Sequence, residues 1–411
     1  MVDRIILHSD MNNFYASVEC LYHPELRNKP VIVCGDPELR HGIVLAKNYL
    51  AKSAGIITGE PIWQARGKCP GLVAVKADFA RYLRFARAAR AIYADYTDQV
   101  EPFGLDEAWL DVTGSGTAGS GPAIADEIRR RIRDELGITA SVGVSFNKIF
   151  AKLGSDLKKP DATIVITPDN FKQMIWPLPA RELLYIGPAT WGKLKRISLT
   201  TIGRVAQADP LFLRSFLGKW GEVLWSFANG QDYSPVARTG ETSDIKSIGH
   251  STTTPRDLVC DADVRMTFFI LAEAVAARMR ELGFLCRTVQ ICIRDRQLAS
   301  FERQHKMAAP TCLASVMTQV AMDLFRNNYT WQQGIRSVGI RGADLVLASD
   351  YRQLSFWDRQ SRRQEALERT VESLRTRYGH FIVQRGLMLQ DTRLSDLAPK
   401  EDHVIFPVSF F

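Results

Sequence analysis

No apolar run in this sequence approaches the ~20 residues needed to cross a bilayer. None of its seven cysteines forms a CxxC pair. Cys20, Cys34, Cys69, Cys260, Cys286, Cys292 and Cys312 are scattered and odd in number. That pattern excludes a disulfide scaffold and fits free thiols in a reducing, cytoplasmic compartment. The seven histidines show neither HExxH nor finger-like spacing, so no zinc site is read. No fixed-period repeat is present, which excludes a solenoid. The opening stretch MVDRIILHSDMNNFY carries Asp3, Arg4 and Asp10 through its apolar residues, so it reads as a strand and not a signal peptide.

What is present is an ordinary globular composition, 46% apolar and 24% charged, over 411 residues. That length exceeds one hydrophobic core, so two to four domains are expected. The net charge of +8 and pI near 9.1 suit a polyanionic partner such as nucleic acid. Charge alone does not separate that from a merely soluble basic protein.

The pattern of apolar residues gives an order of elements. RIILHS is a short buried strand ending at Asp10, and residues 31–34 and 43–46 are strands around a turn-rich segment. Residues 47–54 read as a helix stopped at Gly55. Residues 79–98 predict a long helix whose Arg81, Arg84, Arg87 and Arg90 form one basic face. VEPFGLDEAWLDVTG predicts a hairpin-like pair of strands around Gly104. A helix over 122–136 follows, with Ile124, Ile128, Ile132 and Leu136 inward, then the strand ITASVGVS and a helix stopped by Pro160. This is the order of an α+β, ferredoxin-like sheet backed by helices. Short helices broken by Pro and Gly fill 169–235, and 236–245 reads as a linker. From 246 to 348 the order is β-α-β-β-α-β, a second ferredoxin-like module. The tail, 349–411, holds QLSFWD, an amphipathic helix and an apolar end.

Three acids stand in apolar frames: Asp10 at the end of a buried strand, and Asp106 with Glu107 in the hairpin. A lone Asp at a strand end is ordinarily a turn residue, and a lone Asp-Glu is ordinarily a solvated corner. Neighbours in a strand point to opposite faces, so a bend near Gly104 is needed to bring both acids to one site. Carboxylates so placed suit hard divalent cations, and two such ions can stabilise an in-line displacement at phosphorus.

HSDMNNFYASVE, PFGLDEAWLDVT, FNKIFAKLGSDLKKP and KSIGHSTTT resemble, in order over about residues 1–350, the motifs of Y-family DNA polymerases, the translesion class, in its bacterial polymerase IV-like branch. The resemblance implies a right-hand fold: a ferredoxin-like palm (1–10 and 78–168), small fingers (11–77), a helical thumb with a helix-hairpin-helix (169–235) and a little finger (246–348). It implies two Mg²⁺ ions, or Mn²⁺, held by Asp10, Asp106, Glu107 and the carbonyl of Met11. It places Phe14 beside the incoming nucleotide and makes Tyr15 the steric gate against ribonucleotides. Tyr49, Lys52 and Lys159 would meet the triphosphate. Asn12 stands where Asp is frequent, Lys52 where Arg is common, and Asp161-Ala162 where Asp-Gly or Asn-Gly is usual. Ile43 and Leu45 fall where residues cover the nascent base pair.

LLYIGPATWGKLKRISLTTIGRVA resembles a helix-hairpin-helix, implying phosphate contacts near Gly187 and Lys193, although Ser198 stands where Gly is typical. Gln353, Leu354 and Phe356 of QLSFW resemble the peptide that docks on a bacterial sliding clamp. The implied activity is template-directed extension of a primer with dNTPs by a monomer in the cytoplasm. No acidic set resembling an exonuclease is seen, so no proofreading is expected. Two alternatives remain open: a nucleotidyl cyclase, which also places two-metal acids on a ferredoxin-like sheet, and a non-catalytic DNA- and clamp-binding relative.

Overall fold

Strand alternation and helical stripes sort the chain into elements much as the residue pattern predicts. The computed structural model describes residues 4–35, 42–115, 119–241, 244–349 and 358–400. These fall into two compact units, one within residues 4–241 and one within 244–400.

In the first unit the strand Ile6–Met11 is buried along its whole length and lies at the centre of a five-stranded sheet. The order across the sheet is Val100–Pro102, Glu107–Asp111, Ile6–Met11, Ala140–Ser145 and Thr163–Val165. The first four strands are antiparallel neighbours in the ferredoxin-like order, and the fifth adds in parallel at the edge. Helices Phe79–Ala94 and Gly121–Leu136 cover one face through Tyr82, Ala86, Ala89, Ile124, Ile128 and Ile132. The first of these stops at Asp95, short of the expected 98. Beyond it the chain turns, and the Thr97 hydroxyl donates to the Asp111 carbonyl at 2.7 Å.

Helix Lys148–Leu157 covers the other face. It crosses Gly143 so closely that a Cβ there would sit 1.9 Å from the Ala151 carbonyl oxygen. A small sheet, in the order Val44–Lys47, Val31–Cys34, Val73–Lys76, has its own core of Ile32, Cys34, Val44, Ile56 and Ile62. Helices from Phe171 to Ala228 pack around Leu194, Ile202, Leu213 and Leu224.

The second unit has the expected β-α-β-β-α-β order. Its strands run Ser300–Thr311, Phe284–Asp295, Ile335–Leu347, Ser247–Leu258 across the sheet. The last strand in sequence thus lies inside and the first at an edge, unlike the order in the first unit. The burial explains this: Ile335, Val338 and Ile340 are buried, whereas the Ser/Thr-rich strand Ser247–Leu258 is mostly half-exposed. The tail is integral to this unit. Met388 and Leu394 enter its core, and the nearly buried Arg280 pairs with Glu368 at 2.9 Å and Glu372 at 3.0 Å on helix Asp358–Tyr378. Among the described residues no helix is long and apolar enough to cross a membrane.

Candidate active site

Alternation along the central strand puts Ile6, His8 and Asp10 on one face. Cross-strand pairing of Asp10 with Glu107 and of His8 with Trp109 brings Glu107 to that same face. Asp106 enters by a different route. The chain bends over residues 103–106, ahead of the strand Glu107–Asp111. Gly104 takes φ +124°, a conformation that side chains rarely adopt. The Arg90 guanidinium donates to the Gly104 carbonyl at 3.2 Å, and Met11 N–H donates to the Asp106 carbonyl at 3.0 Å. The bend expected near Gly104 is therefore present and is tied to both the helix and the central strand.

The acids have unequal environments. Asp10 is 6% exposed. Burial pushes its carboxyl up to about 7; Lys159 pulls it down, while Glu107 and Asp106 add repulsion. Burial carries Asp106 up to about 6, again with repulsion from Glu107. Burial opposes ionisation of Glu107 too, but His8 and Lys152 outweigh it and hold that carboxyl down at about 2. The His8 ring nitrogen Nε2 is 3.5 Å from Glu107 Oε2, and the Lys152 ammonium donates to the same oxygen. The Lys159 ammonium stands on Asp10 Oδ2 at 2.7 Å and on Asp156 Oδ1 at 2.9 Å. Burial disfavours that charge, but Asp10 and Asp156 outweigh it and raise the pKa.

Around this centre Tyr15 is half-buried, stacked on Tyr82 at 4.2 Å with 13° between the planes. The Tyr82 hydroxyl is fixed by Glu19 at 2.6 Å. Burial, then the charge of Asp106, lifts the Tyr15 phenol to about 12. Phe14 is wholly in the core and backs Tyr15 with ring centroids 5.5 Å apart. Met11 ends the central strand with its side chain buried. Tyr49 opens a short helix capped by Asn48 and is close enough to feel both Lys159 and Asp10. Lys52 is exposed on that helix; its charge reaches Lys47, whose pKa is lowered first by burial and then by Lys52. Exposed Ile43 pairs with Pro61, and Leu45 lies on the strand Val44–Lys47.

Gly187 and Lys193 are not gathered into this centre. Gly187 caps helix Pro188–Arg196, and Lys193 lies exposed along it. Gly187 has open space around it and an ordinary negative φ, whereas Ser198 takes the left-handed φ +59° that a glycine would take freely. The clamp-like Gln353, Leu354 and Phe356 lie outside the described residues.

Sequence reasoning missed the parts that His8, Lys152, Arg90 and Arg129 play around this centre. The i, i+2 spacing of His8 and Asp10 was a signal for the first. For Lys152 the i, i+4 spacing from Lys148 was another. The two arginines carry no sequence signal, because their partners are backbone turns far along the chain. Asn12, which stands where Asp is frequent, is a buried fastener. Its amide nitrogen donates to Ser141 at 3.1 Å, and its oxygen accepts from Thr139 at 3.1 Å and from Asp161 N–H at 2.9 Å.

Among the described residues no three His, Cys, Asp or Glu side chains are gathered tightly enough to hold a metal by themselves. The donor set still fits a hard divalent ion. Small hard cations are commonly held by one or two carboxylates, with water and substrate phosphates completing the shell. Two desolvated carboxyls, lifted by burial and by repulsion from Glu107, gain from an added cation.

Residues 9–156 match the impB/mucB/samB family, and residues 245–356 match that family's C-terminal domain. DNA polymerase IV of Acetivibrio thermocellus is 52% identical, over 95% of this chain and 99% of its own length. DNA polymerase IV 1 of Bacillus subtilis is 34% identical, over 94% of each chain. A solved Y-family DNA polymerase chimera is similar in fold, with a TM-score of 0.73 at 24% identity, over 84% of this chain and 99% of the chimera.

Proposed function

This chain belongs to the impB/mucB/samB family and is a Y-family translesion DNA polymerase of the polymerase IV type, and we propose that Asp10, Asp106 and Glu107 form its catalytic centre. One observation carries the assignment. Asp10 and Glu107 pair across two central strands, Asp106 is bent in beside them, and a lysine stands on Asp10. Y-family polymerases depend on divalent metal. Here the three carboxylates and the Met11 carbonyl would hold Mg²⁺, with Mn²⁺ as a substitute. Such ions, when bound, supply charge stabilisation to the attacking and leaving oxygens at the α-phosphate of a dNTP.

The chain's own residues do the remainder by positioning. Lys152 and His8 keep Glu107 ionised. Lys159, with its three donors, neutralises Asp10 before substrate arrives and meets triphosphate oxygens afterwards, joined by Tyr49 and Lys52. Tyr15, locked by its stack on Tyr82, forms the wall beside the sugar, with Phe14 behind it. The primer 3′-OH attacks, and pyrophosphate leaves. Gly187 and Lys193 would grip the DNA backbone, and Gln353, Leu354 and Phe356 would dock a sliding clamp. The enzyme works as a monomer in the cytoplasm.

The test is extension of a primed template with dNTPs and Mg²⁺, with Asp106→Ala beside the parent. The expected result is template-directed extension by the parent and a loss of more than about 10³-fold in the variant. Equal activity of the two would remove Asp106 from the centre. No extension by a parent that still binds DNA would favour the non-catalytic relative.

A further inference from the structure

We propose that Arg129, remote in sequence from every motif residue, is a positioning residue that fixes the turn carrying Lys159. The inference rests on Lys159 meeting the incoming triphosphate. Lys159 sits two residues before Asp161, and Asp161 takes φ +50°. A non-glycine residue held there costs about 1 kcal/mol or more and persists only where its surroundings over-determine it. Aspartate tolerates this region better than most side chains, but it lacks the freedom of glycine, so the conformation still needs holding.

The turn is held from two sides. Asn12, buried at the end of the central strand, accepts the Asp161 N–H at 2.9 Å. Arg129, on helix Gly121–Leu136, donates to the Asp161 carboxylate from Nη2 at 2.9 Å and Nε at 3.2 Å, and also to the Asp161 carbonyl. Its remaining nitrogen bonds Thr163 at 3.1 Å, just beyond the turn, and Asp126 at 2.9 Å on its own helix. The planar fork thus spans both sides of the strained residue, a geometry that lysine cannot reproduce. Its side chain is 16% exposed, so these bonds are largely shielded from water. Arg133 adds a longer and more exposed contact to Asp161 at 3.3 Å.

Arg129 touches neither the acids nor the lysine. Its effect passes through the turn to the Lys159 ammonium. Loss of the fork frees the turn, and the ordering of Lys159 must then be repeated with each nucleotide bound.

The measurement is a cycle of Arg129→Ala, Lys159→Ala and the double variant in the full chain on primed DNA. One readout is single-nucleotide incorporation, for KM and kcat. The other is the equilibrium Kd of the incoming dNTP with Ca²⁺ supporting binding without turnover. Arg129→Ala is expected to raise KM and Kd for dNTP about tenfold, the loss of one charge-assisted contact, with kcat within about twofold and DNA affinity unchanged. The double variant should be no worse than Lys159→Ala alone, because both changes remove the same contact. Arg129→Lys, which keeps charge and volume, should fall between and serves if the alanine variant does not fold. An unchanged Kd in Arg129→Ala, or effects that multiply in the double variant, overturns the proposal. An unchanged Kd in Lys159→Ala removes the reading of Lys159 on which it rests, and does so independently of Arg129.

Discussion

At the scale of single residues, the candidate centre joins positions whose ordinary chemistry is altered by burial. Asp106 shows the consequence in stability. Its carboxyl titrates near 3.8 when solvated and at about 6 in the fold, chiefly through burial. Between those values the unfolded chain has released the proton and the folded chain still holds it. The fold therefore loses stability as pH rises through about 6 and does not recover it above. Asp106→Asn lacks that loss. In metal-free protein the variant should match the parent below about pH 3 and exceed it by about 3 kcal/mol above about pH 7. Chemical denaturation across that range checks this; a constant difference would mean that Asp106 is solvated. Tyr15 gives a second expectation. Its ring is fixed by Tyr82 and backed by Phe14, so it can act as a rigid wall and not as a yielding contact. Tyr15→Ala should raise ribonucleotide incorporation by about 10²-fold relative to dNTP. Discrimination unchanged in competition assays would place the gate elsewhere. The acids and Tyr15 were legible because their motifs are contiguous. Arg129 and Arg90 were not, because what they hold is a turn 32 residues away and a carbonyl 14 residues away.

At the scale of elements, the central strands of the first unit and its helices Phe79–Ala94, Gly121–Leu136 and Lys148–Leu157 follow from residue periodicity to within a few positions, whereas Phe14–Tyr22, Ile62–Lys68, Val73–Lys76 and Thr163–Val165 do not. What periodicity does not give is how closely elements approach. Helix Lys148–Leu157 carries both Lys148, paired with Glu101 at 2.7 Å, and Lys152, paired with Glu107. Its seat is Gly143, where helix backbone lies against strand backbone. In sequence Gly143 is one small residue in ASVGVS, with nothing to mark the contact. Gly143→Ala should force the helix outward, costing at least about 2–3 kcal/mol. Because the displaced helix takes Lys152 from Glu107, extension should fall more steeply than stability predicts. A variant with parental melting and parental kcat would show that the helix can shift without disturbing the site. The basic face expected along residues 79–98 is a related lesson. Arg81 is bonded to Glu19 at 2.6 Å and Arg90 to Gly104, which leaves Arg84 and Arg87 exposed. Helical spacing identified one face but could not tell which of its charges the fold would use.

At the scale of the whole molecule, the second unit shows where sequence reading ended. Its element order was legible, but its strand order was not, since β-α-β-β-α-β is compatible with more than one arrangement. The tail's packing on this unit was not legible from its amphipathic helix, because the partners of Glu368, Glu372 and Arg375 are Arg280 and Glu273, about a hundred residues earlier. Charge is the property that does carry over from composition to the whole. The chain has 53 basic against 45 acidic side chains, and many cations are spent in internal pairs, so the number left for DNA is smaller than composition implies. Those exposed include Arg84, Arg87, Lys193, Lys195 and Arg196. Binding through phosphate releases counterions, so log affinity for primed DNA should fall linearly with log salt. A drop of roughly 10³-fold between about 50 and about 200 mM monovalent salt corresponds to about six phosphate contacts. The slope should be the same for templates of different sequence, and Lys193→Ala should reduce it by about one. A flat response would mean that the grip is apolar and the positive charge incidental. A slope that changes with sequence would mean that base contacts, and not the backbone, dominate the affinity.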